Sequence, residues 1–446
     1  MRNWKRIAAL LMAGMMAVGT MAGCGAASQG TQSGETASAQ QEAEQPTGEQ
    51  AGDEAAQPVS GKVEFWNDKL GGTEQGELNK IKDNIAAMSG IELEFVQYPD
   101  TAAYQTAMQQ SIKGETAPGL FTWWSGPQLE TLAKNGLLED MTDMWDEYVI
   151  PNGVSADIAE SLTVDGKIYA VPYSILYNTM LYNKKVFDQY GLAVPTTFDE
   201  FLEVCQTLLD NGVTPIALKN DSWAGFIWFQ AMLASSDPQL YLDVCDGTTA
   251  YTDEKVKSVM TQWKEMLDKG YFTAPMTIQD MDKSLAQGTV AMELEPNGEA
   301  GTLVKEYGLV PGEDFGSFVL PSMSGKKKAV FYEISPLCVA KESKDKEAAK
   351  EVLKYWFTKE NQTILTEVTN NVNTSEVQTD NAVINEMISY STDAENYQML
   401  LRYYENTPEE IRNVALDELM KFQLGNAGVD EVLTAIQTKA DEVFGK

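Results

Sequence analysis

The sequence predicts an α/β fold of helices layered on largely parallel sheets, spread over more than one domain. Three observations carry this expectation. From Lys62 onward, strand-like and helix-like apolar patterns alternate, which is the signature of α/β layers. At 446 residues the chain is too long for one ordinary core. A hydrophobic share of 43% and a charged share of 22% are those of a chain that folds.

The elements follow in order. Lys62–Trp66 reads as a strand. In Glu77–Met88 the residues Leu78, Ile81, Ile85 and Met88 share one helical face. Ile91, Leu93 and Phe95 alternate as in a second strand, and Leu120–Trp124 is a third apolar run. Thr197–Leu209 is a helix whose Thr197 and Glu200 are spaced as a capping box. Asp253–Leu267 and Ala348–Phe357 are amphipathic helices. Thr407-Pro408-Glu409-Glu410 combines an N-cap, a proline at the first helical position and a capping glutamate. Val429, Val432, Leu433, Ile436, Ala440 and Val443 make the last helix.

The first 58 residues read differently. Arg2, Lys5 and Arg6 precede an apolar run, Ile7 to Val18, that is too short to span a bilayer. Residues 1–23 are therefore expected to be an export signal. Met21-Ala22-Gly23-Cys24 resembles a bacterial lipobox, with Met21 where leucine is usual. The resemblance implies a lipoprotein with fatty-acyl (palmitate-type) chains on Cys24. Residues 25–58 hold no Val, Ile, Leu, Met or aromatic residue, so 24–58 is expected to be a disordered acidic tether with a reach of roughly 30 Å.

Composition excludes several chemistries. The chain has no histidine, so it builds no Ser-His-Asp triad, Cys-His dyad or imidazole metal site. No cofactor or metal is expected. A formal charge of −33 argues against a nucleic-acid partner. Besides Cys24 the cysteines are Cys205, Cys245 and Cys338, an odd set without Cys-x-x-Cys spacing. Cys205 and Cys338 lie in apolar patterns and read as buried small hydrophobes.

Four stretches together resemble family 1 extracellular solute-binding proteins of carbohydrate ABC transporters, which are maltose-binding-protein-like. The first is Tyr104–Met144, with Gly114-Glu115-Thr116-Ala117-Pro118 before a strand and Leu137-Leu138-Glu139-Asp140-Met141-Thr142 after it. The second is Asp165-Gly166-Lys167-Ile168-Tyr169-Ala170-Val171-Pro172-Tyr173, continued by Leu181-Tyr182-Asn183-Lys184 and Pro195–Phe201. The third is Thr261–Phe272 followed by Gln287–Met292. The fourth is Ser343–Phe357 with the closing Gly428–Glu431 helix start. Gly119 stands where the family usually has Asp, and the Gly-x-Trp usual after the "AM" strand is missing at Pro296-Asn297-Gly298-Glu299.

The resemblance implies a two-lobe, periplasmic-binding-protein-like (type II) α/β fold with a hinge and an inter-lobe cleft. Lobe 1 is expected at 59–172 plus 305–358, and lobe 2 at 173–304 plus 359–446. The crossing at Val171-Pro172-Tyr173 suits a defined hinge, because proline fixes one backbone angle and restricts its neighbour.

A sugar offers C–H faces to flat rings and hydroxyls to planar polar groups. Such residues stand at expected strand ends, where α/β clefts form. They are Trp66, Asn67 and Asp68; Trp124; Tyr173 at the hinge; Trp223 in a loop; Glu295 and Asn297; and Tyr332 and Glu333. Each has a plainer alternative. Trp66 reads as cleft or as core, and Asp68 and Glu333 as ligand groups or as solvated acids. Trp123 and Trp124 point to opposite faces of any strand, and Trp124 is preferred as nearer the loop. Trp228 and Phe229 read as core.

The expected function is a cell-surface, lipid-anchored binding protein. It captures a sugar or oligosaccharide by hinge closure and delivers it to an ABC transporter permease. It is expected to be monomeric and not an enzyme. The alternative is a polyamine or other cationic-solute binder of the same fold, and a secreted glycoside hydrolase ranks below it. Besides Arg2 and Arg6 the only arginines are Arg402 and Arg412, which favours a neutral sugar over a uronic or sialic acid.

Overall fold

The computed structural model describes residues 61–446, apart from 70–74, 99–100, 370–373 and 375–376. The export signal 1–23, Cys24 and the tether 24–58 lie outside the described residues. Among the described residues, no helix is long and apolar enough to cross a membrane.

The strands are β1 (Gly61–Asn67), β2 (Ile91–Gln97), β3 (Leu120–Thr122), β4 (Thr163–Val164), β5 (Lys167–Ile168), β6 (Val171–Asn183), β7 (Thr214–Ile216), β8 (Val290–Pro296), β9 (Phe315–Phe318), β10 (Lys328–Val339) and β11 (Tyr397–Leu401). The main sheet has the order β2-β1-β3-β10-β6-β8-β7, with β11 paired to β10 and β9 to β6. It is mixed, not largely parallel as expected. β1 pairs in parallel with β2 and β3, β7 with β8, and β10 with β11. The pairs β3–β10, β6–β10, β6–β8 and β6–β9 are antiparallel. Apolar periodicity does not encode strand direction, so the alternation of elements alone missed this.

Two large hydrophobic cores draw on the strands of this sheet. One gathers Phe65, Phe121, Trp145, Tyr173, Leu337 and Trp356. The other gathers Met180, Phe201, Trp228, Trp263, Tyr403 and Leu433. The long strands β6 and β10 feed both. Ile175 and Tyr177 pack in the first core and Met180 in the second; Ile334 packs in the first and Phe331 in the second. Leu365, Val383, Met387 and Ile388, all from within 359–446, pack in the first core.

The expected hinge segment is not a turn. Val171-Pro172-Tyr173 opens β6, and Pro172 lies opposite Pro336 beside a register shift at Ser335/Pro336. A bulge tolerates prolines that cannot donate to the ladder.

Local capping follows the sequence closely at one site and departs at another. Thr197 accepts from the Glu200 N–H at 3.2 Å and the Glu200 carboxylate accepts from the Thr197 N–H at 3.2 Å, closing the capping box on Phe198–Asp210. The helix expected to begin at Pro408 instead runs Glu409–Gln423, with Pro408 in the cap position. Thr407 does not cap it: its Oγ1 is buried without a hydrogen-bond partner among the described residues. Cys205, Cys245 and Cys338 are all free and buried, as read for Cys205 and Cys338.

Candidate functional site

The C-terminal ends of β1 and β3 build the first half of the site. Trp66, one residue before the end of β1, is half-buried; its indole N–H donates to Glu64 at 2.8 Å and its ring lies 5.5 Å from Tyr98. Asn67 is buried, and Lys69 Nζ approaches Asp68 at 3.8 Å. β3 ends at Thr122, so Trp123 and Trp124 lie just beyond the strand. They meet edge-on at 5.0 Å, and Tyr104 touches both. Trp123 is the more buried, whereas Trp124 is half-buried with Lys69 Nζ 4.7 Å over its ring.

Tyr173 stands behind this group, 1% exposed, against Phe65 at 5.7 Å and Trp356 at 6.1 Å. Burial, and then the charge of Asp68, push its hydroxyl pKa upward. Thr122 Oγ1, Ser125 Oγ and Tyr173 Oη are buried without a hydrogen-bond partner among the described residues. Buried polar atoms in this state call for a water or a ligand to complete them.

The second half is an aromatic cage around a guanidinium. Trp223 is not in a loop; it lies in the first turn of the helix Ser222–Ser236. There the Asp221 carboxylate caps the N–H groups of Trp223 and Ala224 at 3.1 and 3.2 Å. The apolar residues after it are buried all round, so the helix is packed on every side and its first turn stays at the edge of the core. Trp223 stacks on Tyr404 at 4.8 Å and 19°. The Arg402 guanidinium lies 4.9 Å from the Trp223 ring and 5.7 Å from the Tyr404 ring. Arg402 forks onto Glu405, with Nε donating at 2.9 Å and Nη2 at 2.6 Å, and its Nη1 reaches Glu333 of β10 at 2.7 Å. Burial alone would lower the Arg402 pKa, but Glu333 and Glu405 outweigh it and raise it.

From this cage, Asp221 leads to Lys219 at 3.3 Å, and Lys219 to Glu295 of β8 at 3.7 Å. Glu293 and Glu295 share one face of β8, beside Asp282 and Glu299 in charge. Burial first, and then neighbouring carboxylates, hold Asp282 up to about 7. Burial raises Glu295 to about 8 against the pull of Lys219. Neither oxygen of the fully buried Glu293 has a hydrogen-bond partner among the described residues. No group of three or more acids or cysteines among the described residues is arranged to hold a metal ion.

The halves approach each other closely at Gly126. Gly126 follows Trp124 in the first half, and the backbone of Glu405 follows Tyr404 in the second. A Cβ on Gly126 would run into the Glu405 carbonyl oxygen and stand 3.2 Å from its carbonyl carbon.

The expected residues thus fall into two sets. Trp66, Asn67, Asp68 and Trp124 form one, with Tyr173 behind them in the core. Trp223, Glu295 and Glu333 form the other, connected through Arg402, Asp221 and Lys219. Asn297 and Tyr332 also make framework contacts. The Asn297 side chain accepts from the Tyr177 N–H at 2.7 Å, which ties the end of β8 to β6, and the Tyr332 carbonyl accepts from the Arg402 N–H at 3.0 Å. Sequence reasoning missed Arg402, Tyr404, Glu405 and Lys219. A signal was present in Arg402-Tyr403-Tyr404-Glu405, where an arginine and a carboxylate three residues apart bracket two rings.

Comparison with known proteins agrees with this architecture. The family of bacterial extracellular solute-binding proteins matches over residues 80–406. The diacetylchitobiose-binding protein DasA of Streptomyces coelicolor is 26% identical over 283 residues, covering 62% of this chain and 61% of that protein. The maltotriose-binding protein of Pyrococcus abyssi is 30% identical over 163 residues, covering 35% of this chain and 33% of that protein. The chain therefore spans under two thirds of the length of either relative. A family 1 extracellular solute-binding protein from Bifidobacterium longum subsp. infantis superposes with a TM-score of 0.67 at 18% identity, covering 86% of this chain and 99% of that one. Two cores on a shared mixed sheet give the two-lobe type II arrangement, and a family match across most of the described chain makes this protein a bacterial extracellular solute-binding protein.

Proposed function

We propose that the protein binds a neutral sugar or oligosaccharide between its two lobes by hinge closure and passes it to an ABC transporter permease. The observation that carries this is the Trp223–Tyr404 platform beside Arg402, which Glu333 and Glu405 already hold. Flat rings suit sugar C–H faces. The guanidinium offers hydroxyls a polar edge while two carboxylates balance its charge. The names of the diacetylchitobiose and maltotriose binders support the same ligand class. Lobe 1 takes 61–172 and 305–358, extended by the helices Lys359–Thr369 and Ala382–Thr392, and lobe 2 takes 173–304 with the remaining described residues of 359–446. Met21–Cys24 supports a lipid anchor at the outer cell surface, where the chain acts as a monomer and not as an enzyme.

A cationic solute such as a polyamine is the second reading, favoured by the acids around Glu295. Against it, burial raises the pKa values of those acids, and Lys219 already lies among them. Protonated carboxyls attract a cation weakly.

A thermal-shift screen of sugars and polyamines on wild type and Trp223→Ala tests the proposal. A ligand at 100 times its Kd adds about 2.7 kcal/mol to the folded state, which raises the melting temperature visibly. A neutral saccharide should stabilise wild type and lose most of its effect in the variant. A shift with spermidine and none with any saccharide refutes the sugar reading.

A further inference from the structure

Beside the cage lies a pocket that the two halves of the site do not use. It has a volume of about 430 Å³ and is walled by the helices Thr101–Ser111 and Pro127–Lys134, with Glu409 closing it from the other core's side. This is within the roughly 300–1,000 Å³ of small-molecule sites. We propose that it receives a further glycosyl unit of a neutral oligosaccharide whose other units lie on the Trp223–Tyr404 platform. The inference rests on the sugar reading given above.

Three observations support it. The first is chemical. Trp123 and Gln128 both line the pocket, and the Trp123 Nε1–H and the Gln128 Oε1 are buried without a hydrogen-bond partner among the described residues. One is a donor and the other an acceptor. A sugar hydroxyl is both at once, so one ligand class completes the two with a small side-chain adjustment.

The second is charge. The ionisable side chains in the wall are one Lys113 and one Glu409, of opposite sign, while Gln109, Thr131 and Asn135 add neutral polar groups. Met108 and Ile112 give it an apolar floor. A charged ligand would meet no matching surplus here.

The third is position. Glu409 Oε1 lies 3.9 Å from Arg412 Nη2, and the Arg412 guanidinium lies 3.9 Å over the Tyr404 ring. Tyr404 is the ring that stacks on Trp223. On the other side, Trp123 touches Trp124. The pocket wall is thus linked through side chains to both halves of the site. A monosaccharide on the platform would leave it empty, whereas a longer chain would enter it.

Calorimetric titration with maltose through maltopentaose, chitobiose through chitopentaose and xylobiose through xylopentaose tests this on the full chain. In whichever series binds, Kd should fall by roughly tenfold between the dimer and the tetramer. In Gln128→Leu/Thr131→Val, that dimer-to-tetramer ratio should collapse to within about threefold, a loss of the order of one or two hydrogen bonds. The Trp123 indole N–H resonance, assigned by its loss in Trp123→Phe, should shift with tetramer and not with dimer. A flat dependence on length, an unchanged ratio in the variant, or a silent Trp123 resonance overturns the pocket and leaves the sugar reading standing. Binding of no saccharide in any series overturns both.

Discussion

Substituting Gly126 by alanine tests whether the Gly126–Glu405 contact belongs to the ligand-bound state. Gly126 precedes the helix Pro127–Lys134 with φ 70 and ψ −143, a conformation that L-residues rarely adopt. Its neighbours Trp124 and Leu129 pack with the first core, while Tyr403 and Tyr404 beside Glu405 pack with the second. An added Cβ meets the Glu405 carbonyl oxygen and lies 3.2 Å from its carbonyl carbon and 3.5 Å from its Cα. All three are backbone atoms, which yield less readily than the end of a side chain. Two costs follow. The positive φ costs about 1–3 kcal/mol in every state of the protein. The clash acts only where the two cores approach, and about 2 kcal/mol of it would raise the Kd for a bound saccharide roughly 30-fold. Gly212→Ala separates the two, because Gly212 has φ +78 with nothing within 4 Å of its Cβ position. Both variants should melt below wild type, and only Gly126→Ala should lose affinity in calorimetry. Wild-type affinity in Gly126→Ala would show that the two cores do not approach this closely around the ligand.

Two further outcomes follow from the buried charges. Asp282 and Glu295 hold protons to about 7 and about 8, and Glu293 is raised as well. The folded chain thus keeps protons that the unfolded chain releases near pH 4. The associated stability is full below that pH and is lost as pH rises through 7 to 8, at up to about 1.4 kcal/mol per pH unit for each group. Urea unfolding should show falling stability from pH 5 to 8.5, with a shallower slope in Glu293→Gln; a rise over that range would contradict the assignment. Arg402→Met strands the buried Glu405 and the half-buried Glu333, both of which it pairs, and should cost about 3–5 kcal/mol in the same assay. A loss below about 1 kcal/mol would mean that water replaces the guanidinium freely.

What the sequence shows and what it hides follow from the range of each interaction. The Thr197–Glu200 capping box, the Asp253 cap and the amphipathic faces are fixed by neighbours within four residues, so reading them needs no fold. Trp228 and Phe229 were legible as core for the same reason. Strand direction was not, since β6 and β10 show the same apolar run whichever way their partners lie. Thr407 misled because its pattern fits a cap, yet the chain at Pro408 turns into the helix one residue later. Within the site, Trp223 was read as a loop residue, because nothing in its neighbours shows that Asp221 caps a helix there. Nothing local reveals that the Asn297 side chain also accepts from the Tyr177 N–H, 120 positions away.

Arg402 shows most clearly why counting residue types is a weak guide to a site. The scarcity of arginine argued for a neutral ligand on the ground that no arginine fork was available. The structure supplies a different argument for the same proposal. An arginine does stand beside the platform, buried to 7% exposure, but its Nε and Nη2 donate to Glu405 and its Nη1 to Glu333. A uronate seeking that fork would have to displace a carboxylate already in place and leave it buried without a partner, a loss with no compensating gain. A neutral hydroxyl has only to approach the outer edge of an assembly whose charges are already arranged. The strand β10 supplies Glu333, and the segment after β11 supplies both Arg402 and Glu405. The same three side chains therefore tie the crossing strand to the second core. The proposed preference for a neutral ligand and the fixing of one lobe to the shared sheet would then rest on one set of interactions.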